Sequence, residues 1–427
     1  MRTVWCRGGS WAAVSVFLAL AGGAPAWADP AAPSSAPADA PPGADPTLAP
    51  PGVDAAAWAA LIPADNQMTA ARVALGRRLY FETALSKDGT LSCASCHDAR
   101  LGFADGRPVS IGVGGKAGTR NAPSTMNAAL LGSQFLDGRA ATLEQQAGGP
   151  ILNPIEMAMP SAAAVVTVLE KKGYAAAFLE AYGRPIAFAD VTRAIAAFER
   201  TLIFMRAPFD RFMAGDVEAL SPVARAGWRL FRGRGKCATC HVISKEAPLG
   251  TDNRFHDIGV SARAASWPAL ATGALAAGKG APAGRWKQFA EANDVSPLGR
   301  FVVSRKPEDL GAFRSSPLRN VGLTAPYMHD GSMATLWDTL DFYNNGGVPH
   351  AQLDKEMHPL DLGNEEIDQL VAFLFALTDE RFAGRAQAEL GRQRAIAETS
   401  RPIRDRPAPG ALGPRAAAAS GVRPVTR

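Results

Sequence analysis

Two short stretches limit what this 427-residue chain can fold into: "SCASCHD", with Cys93, Cys96 and His97, and "KCATCHV", with Cys237, Cys240 and His241. Cys-x-x-Cys-His is the attachment signature of a c-type haem. Both thiols add to the porphyrin as thioethers and the adjacent imidazole lies under the iron, so all three must meet one flat macrocycle from a single helical turn. The fifth cysteine, Cys6, sits in the opening segment. A zinc site built from two Cys-x-x-Cys pairs and a redox dithiol are the competing readings. The immediate His in both copies favours haem.

The flanks separate cleanly from the body. Residues 1–28 carry Arg2 and Arg7, an apolar run from Trp11 to Ala21, and Ala26-Trp27-Ala28. That is the pattern of a secretory signal with a small-x-small cleavage site, too short in its apolar part to span a bilayer. It places the mature protein in the periplasm, with no transmembrane segment expected after it. Residues 29–56 read as a Pro/Ala-rich linker. Residues 384–427 hold nine arginines against three acids, so the formal charge of +5 resides in what reads as a basic, disordered tail. Nothing resembles a nucleic-acid-binding module.

Between these flanks the pattern repeats. "ARVALGRRLYFETALSKDGTLSCASCH" and "SPVARAGWRLFRGRGKCATCH" each run a helix into a loop and then the attachment turn. Ala71, Leu75 and Leu79 share one face of the first helix. Ala224, Trp228 and Phe231 share one face of the second, behind a Ser221-Pro222 start. The spacing predicts a buried stripe at Ile195, Phe198 and Leu202 in 189–205, and another amphipathic helix over 364–379. Strand signals are scarce. The expected fold is mainly α: two tandem cytochrome c-like domains, 57–205 and 206–383, each with one covalently bound haem.

The second axial position of each iron separates electron transfer from peroxide chemistry. Of six histidines, two follow the attachment cysteines, and His256, His329, His350 and His358 all lie in the second half. No histidine falls between His97 and His241. Met126, Met157 and Met159 remain alternatives for closing the first iron.

Three segments then carry a resemblance: "LGRRLYFETALSKDGTLSCASCH", "GTRNAPSTMNAALLGSQFLDGRAATLEQQAGGPILNPIEMAMP" and "GAFRSSPLRNVGLTAPYMHDGSMATLWDTLDFYNNGG". Over about residues 60–380 the chain resembles the bacterial di-haem cytochrome c peroxidase and MauG superfamily. The resemblance implies an oxidoreductase using hydrogen peroxide, with a periplasmic protein as substrate or electron donor. It implies Gln146, Pro150 and Glu156 on the distal side of the first haem. Glu156 would relay a proton between the peroxide oxygens, and Gln146 would orient peroxide or water. It also implies a calcium ion between the haems, with Asn121 and the carbonyls of Thr324 and Pro326 as ligands.

Departures from the family pattern sharpen the expectation. The distal His of the peroxidases falls on Val113 in "SIGVGGKAG", and Val cannot ligate iron, so the first haem is expected to be open. The peroxidases' Met ligand of the second haem falls on Tyr343, where MauG also has Tyr. A phenolate is a hard, anionic ligand that favours oxidised iron. The Trp that usually lies between the haems is Leu136, and MauG's surface Trp corresponds to Gly235. Trp228, Trp267, Trp286 and Trp337 are candidate relays, and His256 and His329 are expected to bond propionates or backbone. Residues 261–297 look like an insertion that could carry partner contacts. The expectation is a MauG-like oxidase (MauG, MbnH) that modifies Trp or Tyr of a partner. A peroxide-detoxifying cytochrome c peroxidase and a plain electron-transfer cytochrome are the rivals.

Overall fold

Each attachment turn is reached through a helix with well-defined ends. In Ala70–Tyr80, Thr69 caps the N terminus by accepting from Arg72 N, and Arg77 and Arg78 lie in the last turn, favourable to the helix dipole. In Pro222–Arg232, Ser221 accepts from Ala224 N and Pro222 occupies a first-turn position where no N–H is needed. The computed structural model describes residues 48–50, 53–244, 247–278 and 280–400. All of them belong to one compact unit, Ala36–Arg427. The signal expected over 1–28 and most of the linker over 29–56 lie outside the described residues. The linker's last residues instead start a helix, Ala55–Leu61, capped by Asp54 and burying Trp58.

Helices dominate. The described strands are one antiparallel pair, Phe255–His256 against Phe313–Arg314, with Phe255 opposite Arg314. The helix before each attachment turn crosses the closing helix of its own half at a glycine. A Cβ on Gly76 would stand 1.8 Å from Ala194 O and 3.0 Å from Phe198 Cβ in the Phe188–Glu199 helix. A Cβ on Gly227 would stand 1.9 Å from Gln369 O and 2.9 Å from Phe373 Cβ in the Asn364–Phe375 helix. The same crossing thus occurs twice, each time with a phenylalanine four residues beyond the contact carbonyl. Each crossing seeds its own apolar cluster. Leu75, Leu79, Ile195 and Phe198 belong to one. Trp228, Phe231, Leu370 and Phe373 belong to the other.

The halves are stitched where the chain passes from one to the other. Arg206 N donates to Asp379 Oδ2 at 2.8 Å, and Glu380 N to Arg206 O at 2.7 Å. The side chain of Asn127 bonds both the N and O of Phe204, and Asn320 Nδ2 also donates to Phe204 O. The Asn127 and Asn320 bonds satisfy the main-chain groups of Phe204, which is buried.

Two expectations need correction, and the 261–297 segment gains a structure of its own. The helix expected through residue 205 ends at Glu199, though Leu202 is still buried. Residues 261–297 form two helices, Trp267–Ala277 and Arg285–Ala292, over a small core of Trp267, Ala274, Leu298 and Phe301. The tail expected to be disordered from 384 begins with an 18-residue helix, Ala383–Ser400. Residues 401–427 lie outside the described residues.

This last helix is held by polar groups. Gln393, fully buried, accepts from Leu336 N at 2.9 Å and donates to Tyr327 Oη at 2.9 Å and to Gly322 O at 3.2 Å. It thereby satisfies the first N–H of the Leu336–Asn344 helix, which carries Tyr343. Ala386 packs against both apolar clusters. Replacing Gln393 by Ala strands these buried groups and is expected to cost about 1–3 kcal/mol. Urea unfolding followed by circular dichroism measures it, and an unchanged midpoint would refute the bracing role.

Candidate functional site

The first attachment turn is a short helix, Cys93–Cys96, with Ser95 Oγ accepting from Ser92 N at 3.0 Å at its start. His97 follows as its C-cap, and Tyr80 Oη donates to the His97 carbonyl at 3.1 Å. The imidazole is buried, which pushes its pKa down to about 4 against the main-chain carbonyls of Phe103 and Pro123. Its Nδ1 has no hydrogen-bond partner of good geometry. A neutral, desolvated imidazole is the form that ligates iron. Burial also pushes the Cys96 thiol up to about 11, against the bond to Ser110. Behind Cys93, burial raises the Glu199 carboxyl to about 8, with Arg200 opposing the shift.

Glu156 is placed by a sharp reversal after the Leu143–Leu152 helix. Thr142 caps that helix by accepting from Gln145 N, and Pro150 lies inside it near its end. The chain then folds back: Met157 N donates to Pro150 O, and Glu156 N to Asn153 O. Asn153 Nδ2 donates to Glu156 Oε1 at 2.8 Å, fixing the carboxyl. Glu156 and Pro150 share a cavity of about 260 Å³ with Phe135, Arg139, Gln145 and Asn153. Burial raises the Glu156 pKa, against the Arg139 charge and the Asn153 bond. Its charge in turn raises the Cys96 pKa, so carboxyl and attachment turn lie within electrostatic reach. Gln146 does not line this cavity; its neighbour Gln145 does, although Gln146 and Pro150 share a helix face at i and i+4.

The glycine-rich loop closes against the same reversal. Ile111 bridges Ala117, Gly112 N donates to Lys116 O, and Val113 N donates to Glu156 O at 2.9 Å. A Cβ on Gly112 would stand 2.0 Å from Ile155 O and 2.8 Å from Glu156 O. The loop thus binds backbone, with Val113 beside the carboxyl's own residue.

The second attachment turn opens on a larger cleft. Cys237, Cys240 and His241 line it together with Leu336, Leu340 and Tyr343. His241 Nδ1 lies 3.0 Å from Gly250 O, which assigns the proton to Nδ1 and leaves Nε2 as the ligating nitrogen. The Thr335–Asp338 capping box forms as expected and sets the helix that aims Tyr343. Burial raises the Tyr343 pKa, so a phenolate there requires a positive charge in the cleft. A thiol pair, an imidazole with one free nitrogen and an apolar wall fit a ferric haem. Among the described residues no cluster of three or more His, Cys, Asp or Glu could hold a metal ion, which removes the four-cysteine zinc reading.

Asn121, Thr324 and Pro326 also line this cleft. Asn121 Nδ2 donates to Arg107 O at 2.9 Å, which turns its amide oxygen the other way, as a hard cation would need. His256 is clamped between Asp354 at 2.6 Å and Asp252 at 3.0 Å, and His329 stacks on Phe313 at 3.8 Å. Met126, Met157 and Met159 are all buried in the first cluster, and Met126 also lines the second cleft.

One segment touches both sites. Phe135 lines the Glu156 cavity and Leu136, the next residue, lines the second cleft. Arg314 holds it: its N donates to Leu136 O at 2.9 Å and its Nη2 to Phe135 O at 2.6 Å. Arg314, Arg139 and Asn153 escaped the sequence reading because each acts through backbone or a neighbouring side chain, which leaves no spacing signature.

A family profile described as di-haem cytochrome c peroxidase matches residues 70–218. The methylamine utilization protein MauG of Methylorubrum extorquens is 36 % identical over 320 residues, covering 74 % of this chain and 81 % of that protein. Cytochrome c peroxidase Ccp of Escherichia coli is 38 % identical over 325 residues, covering 74 % of this chain but only 60 % of that longer protein. The crystal structure of a MauG-like protein associated with microbial copper homeostasis is 33 % identical, with a TM-score of 0.60 over 75 % of this chain and 92 % of that one.

Two substitutions test this geometry. Gly112→Ala forces a methyl against the Ile155 carbonyl and should destabilise by about 1–3 kcal/mol, read as a lowered melting temperature; an unaltered melt would mean the loop does not dock there. Glu199 titrates near 8 when folded and from an ordinary 4.5 when unfolded. Its stabilising contribution is therefore complete below about 4.5 and lost as pH rises through about 8. Glu199→Gln should flatten that decline, so the variant gains on the parent most above about pH 8. Parallel stability–pH curves would contradict it.

Proposed function

The chain belongs to the di-haem cytochrome c peroxidase and MauG superfamily, and from that premise we propose that it is a periplasmic, peroxide-dependent oxidase of MauG type. It draws two electrons from a partner protein and so oxidises a Trp or Tyr side chain there. The protein carries two haems, each attached in its own cytochrome c-like domain, at Cys93 and Cys96 and at Cys237 and Cys240. His97 and His241 would hold the two irons. Bound there, the haems provide iron that accepts peroxide and holds oxidising equivalents.

The residues divide the remaining work. Val113 offers no ligand, so the space above the first haem stays open to peroxide. Glu156, with its pKa raised by burial, takes the proton from one peroxide oxygen and returns it to the departing one. Asn153 fixes that carboxyl, and Pro150 with Gln145 lines the approach to it. Arg139 holds the carboxyl's ionised form in reserve. Asn121, with the Thr324 and Pro326 carbonyls, holds a calcium ion that sets the geometry between the haem sites.

The observation that carries the MauG-type reading over a detoxifying peroxidase is Tyr343 in the wall of the cleft shared by Cys237, Cys240 and His241. As a second ligand it makes this haem a poor acceptor of ordinary cytochrome electrons and a better store of oxidising equivalents.

The purified two-haem protein tests this directly. Peroxide should change its spectrum, and covalent change in a candidate partner should outpace turnover with a reduced small cytochrome. Fast steady turnover with that cytochrome would instead support a peroxidase, and a spectrum indifferent to peroxide would end the enzyme reading. Glu156→Gln should slow the peroxide step by about 10²–10⁴-fold without altering the low-spin signal. Tyr343→Met should do the reverse, changing the low-spin signal while the first haem still takes up peroxide.

A further inference from the structure

Leu136 and Gly235 remove the two aromatic positions on which family members could hold or pass an oxidising equivalent, so the tryptophans this chain does possess need weighing individually. Four lie in its second half among the described residues. Trp228 carries the Arg232 guanidinium 4.6 Å above its ring, and Trp286 carries that of Arg305 at 3.6 Å. A cation held over an indole face is attracted to the electron-rich ring and repelled by a ring that has lost an electron. Both positions therefore resist oxidation. Trp267 meets the His350 ring edge-on at 5.9 Å, and it is His350 that bonds Asp257, at 2.6 Å.

Trp337 differs. Its side chain is 2 % exposed, and its Nε1–H donates to Asp368 Oδ1 at 2.7 Å. Asp368 is itself 3 % exposed. Among the described residues it is the tryptophan whose indole N–H is hydrogen-bonded to a carboxylate. The two residues sit in the helices that wall the second cleft. Leu336, the residue before Trp337, and Leu340 line that cleft, as do Leu370 and Leu374 on the helix of Asp368. The indole stands one residue behind the wall.

We propose that Trp337 and Asp368 form a proton-coupled redox pair that stores one of the two oxidising equivalents beside the second haem. This rests on the peroxide-dependent reading above. The indole would give one electron to the peroxide-oxidised haem that the cleft would hold, and its Hε1 would pass to Asp368 Oδ1. Trp337 becomes a neutral indolyl radical and Asp368 a carboxylic acid. No positive charge is created on the buried ring, the state a low-dielectric interior penalises most. An electron from the partner's side chain then returns to Trp337 and the proton returns from Asp368. Peroxide is the terminal oxidant, taking two electrons and two protons to give two waters, and Trp337 supplies one of those electrons in transit.

Rapid-freeze electron paramagnetic resonance on the peroxide-treated two-haem protein, without partner, tests the pair. The parent should show a neutral indolyl radical that narrows when tryptophan is deuterated. Trp337→Phe should lose it, Trp228→Phe should retain it, and Asp368→Asn, which keeps an acceptor but a far weaker base, should show a strongly reduced yield. Peptide mapping after excess peroxide should place oxygen addition on Trp337 and find it diminished in Asp368→Asn. If Trp337→Phe fails to take up haem, the Asp368→Asn yield decides. A radical of parental intensity in either Trp337→Phe or Asp368→Asn, or peroxide consumption by the parent with no indolyl radical, overturns the pair while leaving the peroxide chemistry standing. A parent that ignores peroxide overturns both.

Discussion

The architecture depends on a close backbone approach made twice. Gly76 lets the first helix of one half lie against Ala194 O, and Gly227 does the same against Gln369 O. Any side chain at either glycine would occupy the space of a carbonyl, so the helix axes would have to part. The attachment cysteines follow each crossing by one loop. Where the crossing sits therefore decides where the thiols and imidazole are presented. Around these contacts the apolar clusters fill in, with Phe198 and Phe373 packed beside the two glycines.

Much of this was legible in the chain. The two Cys-x-x-Cys-His turns, the Ser221-Pro222 helix start, the Thr335–Asp338 capping box and the placement of Leu336, Leu340 and Tyr343 on one face are local rules, and they hold in the structure. What escaped reading depends on partners distant in sequence. The Ala383–Ser400 helix buries Glu389, Gln393 and Ala397, a stripe that is polar at two of three positions. A search for apolar periodicity passes over it. Its place is earned by hydrogen bonds to Leu336, Tyr327 and Gly322. Likewise Gln145, rather than Gln146, lines the Glu156 cavity. One residue of helix rotates a side chain by about 100°, and the point at which the chain reverses around Pro150 sets which face looks inward.

Burial and charge are combined differently at the two sites. At the first, Glu156 is desolvated but kept within reach of Arg139, so its proton is held more tightly than usual without being fixed. At the second, the Cys240 thiol first, and then Asp354 and Asp252, raise the His256 pKa against the opposing effect of burial. Low dielectric alone would have neutralised both groups. The neighbours oppose burial at the first group and outweigh it at the second.

The helix that closes the fold also bears on how the chain is made. Synthesis runs from the N terminus, and the first N–H of the Tyr343 helix, that of Leu336, waits for Gln393. Asp379 and Arg381, which tie down the turn at 203–206, arrive only shortly before it. The cleft wall and the seam between the halves are thus finished by the same late segment. A chain interrupted before it would carry both Cys-x-x-Cys-His turns and neither finished seam nor finished wall. Completion of the polypeptide, more than the presence of either motif, marks the point at which the second site acquires its shape.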